Sequence, residues 1–312
     1  MKYFDLHCDT VTQLAERSEH LDSNDLHISL DKASEYDVWA QYFAIFIPDE
    51  IRGQQAFEYF GKLLGKFRSE IDRFSDRITF CRDKNMAADT LKAGKNAAFL
   101  SIEGGAALAG DIENLYHAYD AGVRMMTLTW NGECELGTGA VGVAENGQKG
   151  GGLTKFGKQV VREMTKLGMT IDVSHLSDQG FYDVAQETEA PFVASHSNAR
   201  AVYSHPRNLE DWQIKEIVRR GGLIGLNFYR GFIDGDGSGG LAALLPHAEH
   251  MLGLGGERSL AIGADMDGST LPDGVRGIED AVKLGEMLSK TYGKTTADAI
   301  FFGNAAGFFT GL

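Results

Sequence analysis

The chain alternates short apolar runs with longer segments of mixed polarity. Eight runs rich in Val, Ile, Phe and Leu read as strands: Tyr3–His7, Val38–Ile47, Ala97–Ile102, Arg124–Thr129, Thr170–Val173, Phe192–Ser195, Leu223–Asn227 and Leu260–Gly263. They carry few internal charges, as expected of strands covered on both faces. Amphipathic stretches lie between them. In Gln54–Phe74, Phe57, Phe60, Leu63, Leu64, Phe67 and Ile71 recur near helical spacing. Ile112–Ala121, Lys155–Leu167, Asp178–Glu187, Asp211–Arg220, Leu241–Leu252, Ile278–Leu288 and Thr296–Phe302 read as further helices. Alternating β and α units imply a parallel sheet with right-handed crossovers. Eight strands suit a closed TIM-type (β/α)8 barrel better than an open sheet. The expected fold is therefore α/β, a single barrel domain over residues 1–312. One glycine-rich loop, Gly132–Gly152, interrupts the pattern after the fourth strand. Loops of that length in compact domains are usually functional or mobile, and this one is expected to shape or cover a pocket.

Composition narrows the partners. The net charge of -14 argues against nucleic acid, whose binding needs clustered Lys and Arg, and against docking on an anionic membrane. Cys8, Cys81 and Cys134 are odd in number and far apart, which is neither a disulfide framework nor a structural zinc motif. The start, MKYFDLHCDT, has no apolar core of a signal peptide. No run of about 18 apolar residues is present, so no membrane span is expected. A cytoplasmic globular protein is the expectation.

Chemistry enters through position. His7 and Asp9 end the first strand, and Glu103 follows the third. His175, His196 and Asp265 end the fifth, sixth and eighth. In a barrel, strand C-terminal ends converge on one face, where active sites lie. Imidazole and carboxylate suit zinc and similar ions. A carboxylate such as Glu103 can bridge two ions, and two ions about 3.5 Å apart can share a water, lower its pKa and orient it as hydroxide for attack. An aspartate just outside the ligand set could move the proton. Each residue alone has a plainer reading: Asp9 as a helix N-cap, Glu103 as the partner of an arginine, a lone histidine as a surface residue. Five strand ends supplying only these residue types are hard to attribute to packing.

The segments FDLHCDT, LSIEGG, IDVSHLSD, VASHSNARAVYSHPRN and IGADMDG resemble the renal (membrane) dipeptidase family of zinc peptidases, family M19, in the family's order and over Tyr3 to about Phe309. The resemblance implies two zinc ions per chain, one held by His7, Asp9 and Glu103, the second by Glu103, His175 and His196. It implies that Asp265 carries the proton between hydroxide and leaving amine, and that Arg207 binds the substrate's terminal carboxylate. Guanidinium grips carboxylate bidentately, which suits that role. Dipeptides are the implied substrates and a homodimer the implied assembly, although other divalent metals suit the same ligands. The sequence departs from the family at one place. Where the renal enzyme has a histidine in a segment resembling L-T-H-N, this chain has Leu128-Thr129-Trp130-Asn131. Trp130 offers one indole N–H, and Trp130 or Asn131 is the expected substitute substrate contact. Losing one oxyanion donor costs about 2.7–4 kcal/mol in barrier. The tryptophan, with no secretory or lipid-anchor signal in view, points to a bacterial-type member.

Other motifs weaken on inspection. The run from Gly152 to Lys158 nearly spells a phosphate-binding loop, but Gln159 stands where Ser or Thr is needed. His247 and His250 read as a solvated helix face. His20, His27, His117 and His205 have no constellation around them, and Cys8 should point away from His7 and Asp9 as a small core residue. Ser174 and Ser195 lack a nucleophile-elbow context. Two alternatives to a dipeptidase stay open: a dinuclear amidohydrolase acting on another amide, lactam or ester, and a non-catalytic metal-bound peptide-binding protein.

Overall fold

The computed structural model describes residues 1–142 and 151–312. Its centre is a curled parallel sheet of β1 (Lys2–Cys8), β2 (Val38–Phe46), β3 (Ile78–Phe80), β4 (Asn96–Glu103), β5 (Val123–Thr127), β6 (Thr170–Asp172), β7 (Ile224–Leu226) and β8 (Leu260–Ile262). The order is β6-β5-β4-β2-β1-β8-β7, with β3 beside β4. Tyr3 to Cys8 of β1 and Val38 to Ile45 of β2 are buried at every position, as strands under helices should be.

The expected sixth strand is a correction. Residues 192–195 form no strand of their own, only isolated bridges from Val193 to Asp172 and from Ala194 to Ile224. Hydrogen bonds nevertheless run both ways: Val193 donates to Ile171 and Ala194 to Leu223, each at 2.9 Å. It pairs through a single bridge on each side, too few for a regular ladder, yet it links the two ends of the strand path. A second difference is β3, which the alternation did not reveal because only three residues are involved. One edge of β4 is shared: β3 pairs along Asn96–Ala98, and β5 pairs from Leu100 to Glu103.

Two apolar regions result. Phe4, Tyr42, Phe99, Met125, Val193, Leu223 and Ala261 pack together. Only the concave side of the sheet can bring residues from so many strands into one cluster. The larger region lies between the sheet and the helices. Helix starts follow their capping residues. Thr154 accepts from the Gly157 N–H to cap the helix Lys155–Leu167, and Ser177 accepts from Gly180 to cap Asp178–Glu187. The near phosphate-loop motif is thus a helix cap, and a Cβ on Gly157 would stand 1.9 Å from the Leu136 carbonyl oxygen. Boundaries shift elsewhere. The expected helix Ile278–Leu288 is a 3-10 turn, Ile278–Asp280, followed by a helix Val282–Tyr292. The expected Thr296–Phe302 is Lys294–Asp298, a π turn Ala299–Gly303 and a helix Asn304–Thr310. Of the expected loop Gly132–Gly152, residues 143–150 lie outside the described residues. No described helix is long and apolar enough to cross a membrane.

Candidate metal centre and active site

The strand ends place ionisable side chains around one cavity of about 690 Å³. The β1–β2 register shifts between Asp5 and Cys8, an irregularity of the kind that re-aims side chains. His7 enters the site, while Cys8 is buried in the apolar layer outside the sheet. Asp9 follows, its N–H bonded to Met266 O at 2.9 Å. Glu103 is the last residue of β4. His175 and Asp265 lie just past β6 and β8, and His196 follows the bridging segment. His175, Asp265 and Asp267 have φ of 68°, 60° and 65°. Non-glycine residues rarely adopt this left-handed region, and such strain gathers at functional sites. Gly268 leaves room for two carboxylates, since a Cβ there would stand 2.0 Å from Asp9 Oδ2 and 2.6 Å from Asp265 Oδ1.

Glu103 stands at the centre. Its Oε2 lies 3.4 Å from His7 Nε2, while its Oε1 lies 2.8 Å from His175 Nε2 and 3.5 Å from His196 Nε2. His7 Nε2 is also 3.5 Å from Asp9 Oδ2 and 4.0 Å from Asp265 Oδ1. Two sets of ligand-type atoms fall within 4.8 Å of one another, His7–Glu103–His196 and His7–Asp9–Asp265. His7 belongs to both, a division that differs in detail from the one the family resemblance implies. Both ring nitrogens of His7, His196 Nε2 and Asp9 Oδ1 are buried without a hydrogen-bond partner among the described residues. Buried polar atoms left unpaired are costly. Imidazole and carboxylate atoms orphaned together in this way are the donor set of a divalent cation, and the residues fit one.

Charge follows the same geometry. Burial raises Asp265 to about 7, aided by the Asp9 and Glu103 charges and opposed by His7 and an Asn227 hydrogen bond. Burial and the Glu103 charge raise Asp9 to about 6. Burial also works against ionised Glu103, but His7 and hydrogen bonding from the histidines hold it well below the usual range. Burial and the Arg207 charge bring His175 down to about 4. Burial and the His7 charge hold His196 well below its ordinary value. Both rings are therefore neutral, as ligands must be. Burial opposes a charge on His7 as well, yet Glu103 and Asp9 outweigh it and raise its pKa well above the ordinary value, so a cation held there would take the place of that ring proton.

Arg207 is 3% exposed. Its Nε is unpaired among the described residues, and its longest-reaching nitrogens are only 3.5 Å from Ser197 Oγ and 3.4 Å from His196 O. It stacks 5.3 Å over the Phe232 ring, which lines the cavity. Burial lowers its pKa to about 10. Among the described residues no carboxylate pairs with it, which leaves a buried cation uncompensated. Trp130 meets Phe46 edge-on at 4.9 Å and also lines the cavity. Asn131 is turned inward to the histidine–carboxylate cluster, its Oδ1 3.0 Å from His175 Nδ1.

A family model for the membrane dipeptidases, peptidase family M19, matches residues 1–306. The chain belongs to the membrane dipeptidase family. A 286-residue alignment to an uncharacterised dipeptidase of Schizosaccharomyces pombe is 30% identical and covers 87% of this chain and 67% of that one. An uncharacterised protein encoded in the pqqA 5′ region of Klebsiella pneumoniae is 37% identical over 177 residues, 55% of this chain and 65% of its own length. The chain thus spans about two thirds of the length of these curated relatives. The crystal structure of an M19 metallopeptidase, dipeptidase AC, superposes with a TM-score of 0.90 at 27% identity, covering 99% of this chain and 98% of that one. A Rhodobacter sphaeroides metallopeptidase, liganded with a phosphinate mimic of L-Ala-D-Ala, superposes at 0.89 with 26% identity and 99% coverage of both chains. The resemblance read from the sequence motifs is borne out.

The sequence reading missed Asn227, whose Nδ2 lies 3.3 Å from Asp265 Oδ2. It ends an expected strand, so the positional signal that found Asp265 applied to it too. It also missed Phe46, Tyr229 and Phe232 in the cavity wall. Aromatics at strand ends look like core from sequence. Four histidines have partners that the sequence did not show. His247 is fully buried, bonded to Ile233 O and Ala199 N, because its helix packs inward there; His250 pairs with Asp211. His27 is tied to Asp267 in both directions through backbone N–H groups, beside the cavity. His20 pairs with Glu70 at 2.9 Å.

Proposed function

We propose that this protein is a zinc-dependent dipeptidase with two metal ions at the mouth of a closed (β/α)8 barrel. The observation that carries the reading is Glu103, whose two oxygens face different histidines, with the Nε2 atoms of His7 and His196 left unpaired. His7, Asp9, Glu103, His175 and His196 would hold the ions. When bound, such ions activate a water for attack and polarise the scissile carbonyl. Asp265 stands beside this cluster with a pKa near neutrality, suited to take a proton from the attacking water and deliver it to the leaving amine. Asn227 orients its carboxyl. Arg207 would pair with the substrate's terminal carboxylate, which limits the cavity to short peptides. Trp130 and Phe46 would wall the other side. The R. sphaeroides relative with its dipeptide mimic supports this substrate class.

A dipeptide panel assayed with added zinc, with and without chelator, tests the reading. Hydrolysis that chelator abolishes and that falls steeply in Asp265→Asn is the expected result. Turnover of N-acyl amino acids with no dipeptide cleaved would overturn the substrate. Equal inactivity of wild type and variant on every amide would overturn the enzyme.

A further inference from the structure

Asp172, fully buried at the end of β6, takes no part in the chemistry above. Four donors converge on it. Oδ2 accepts from the Thr127 hydroxyl at 2.5 Å and the Ser195 hydroxyl at 2.6 Å. Oδ1 accepts from the N–H groups of Ser174 at 3.0 Å and Ser195 at 2.9 Å. All four partners are donors, so the carboxyl acts here as an acceptor only. Ser195 has one hydroxyl proton. Given to Asp172, it leaves the serine oxygen as an acceptor, and His196 Nδ1 faces that oxygen at 2.7 Å. The ring proton then sits on Nδ1, and Nε2 keeps its lone pair. That is the buried nitrogen 3.5 Å from Glu103 Oε1 with no hydrogen-bond partner among the described residues.

We propose that Asp172, acting through the Ser195 hydroxyl, is a positioning residue that sets the tautomer and ring plane of His196 so that Nε2 is free to bind metal. Histidine ligands commonly depend on such a partner at the second nitrogen. Here the carboxylate reaches the ring through a hydroxyl, and the backbone holds that hydroxyl still. A Cβ on Gly225 or Gly263 would stand 1.9 or 1.7 Å from the Ser195 carbonyl oxygen, so the backbones of β7 and of the end of β8 lie close against this residue. The proposal rests on His196 being a metal ligand.

The test reads the proton itself. Nitrogen-15 NMR of the histidine rings in metal-free protein is expected to show His196 protonated at Nδ1. Ser195→Ala keeps the other three bonds to Asp172, so the fold should survive, with circular dichroism as the check. It is expected to move the proton to Nε2 and weaken Zn²⁺ binding by about 10–100-fold in a chelator competition. Asp172→Asn, whose amide can donate to Ser195, should reverse the chain and give the same tautomer change. Wild-type His196 protonated at Nε2, or an unchanged tautomer or zinc affinity in Ser195→Ala, would overturn the proposal. If the tautomer responds as expected but Zn²⁺ leaves the His196 resonances unmoved, the relay stands and His196 leaves the metal ligands.

Discussion

The same strands do opposite things at their two ends. Phe4 and His7 share β1, and Phe99 and Glu103 share β4, about 10 and 13 Å apart along their strands. At one end Phe4, Tyr42, Phe99 and Phe309 stack with ring centroids 4.8–6.4 Å apart, and all four are buried. At the other end stand unpaired histidine nitrogens, carboxylates shifted by burial and three left-handed backbone residues. The first end stabilises the fold through packing. The second is a set of polar atoms that packing alone does not satisfy. The contrast teaches that the site's cost is borne by the rest of the sheet.

The largest expected effect tests the polar end. Glu103→Ala should lower kcat/KM on dipeptides by roughly 10³-fold or more, several kcal/mol in barrier, and reduce bound metal measured by elemental analysis. Its thermal midpoint should change little. A melting loss as large as that of a core variant would break the division. Phe99→Ala tests the other end: about 3–5 kcal/mol of stability lost in urea unfolding, with kcat per folded molecule retained. Arg207→Met should raise KM and cut kcat/KM by roughly thirtyfold, about 2 kcal/mol, while stability holds or rises because a buried unpaired charge is gone. Unchanged KM would remove Arg207 from the substrate site.

The smallest effect concerns a carboxylate outside both ends. Burial would raise Asp280, but hydrogen bonds from Arg276 and Lys283 outweigh it and bring it down to about 2. With the folded value depressed, its stabilisation is present above its ordinary 3.8 and lost as pH falls toward about 2. Asp280→Asn should therefore cost about 1 kcal/mol at pH 7, since its cationic partners are solvent-screened. The difference between variant and wild type in urea titrations should shrink as pH falls and be gone below about 2. A difference that persists there would assign the effect to packing.

Much of the site was legible because metal-ligand chemistry restricts residue type and the fold restricts position. His7, Asp9, Glu103, His175, His196 and Asp265 were all found as unusual residues at strand ends. Asn131 was legible as polar but not as the partner of His175, since adjacency along the chain does not tell which way an amide turns. Asp172 and Ser195 were unreadable. A polar residue inside a strand resembles an error in the alternation until Thr127, Ser174 and Ser195 are seen to supply its four donors. Residues 192–195 read as a strand because their composition is that of one, whereas pairing across both edges decides whether a ladder forms.

By itself the sequence determined the alternation of buried strands and amphipathic helices, the family, and the inventory of ionisable residues at strand ends, since each follows from local periodicity and residue chemistry. Only the tertiary structure decided how those residues meet. Glu103 turning one oxygen to His7 and the other to His175 and His196, the loss of ordinary charge states through burial, and the route from Asp172 through Ser195 to His196 all depend on distances between segments far apart in the chain.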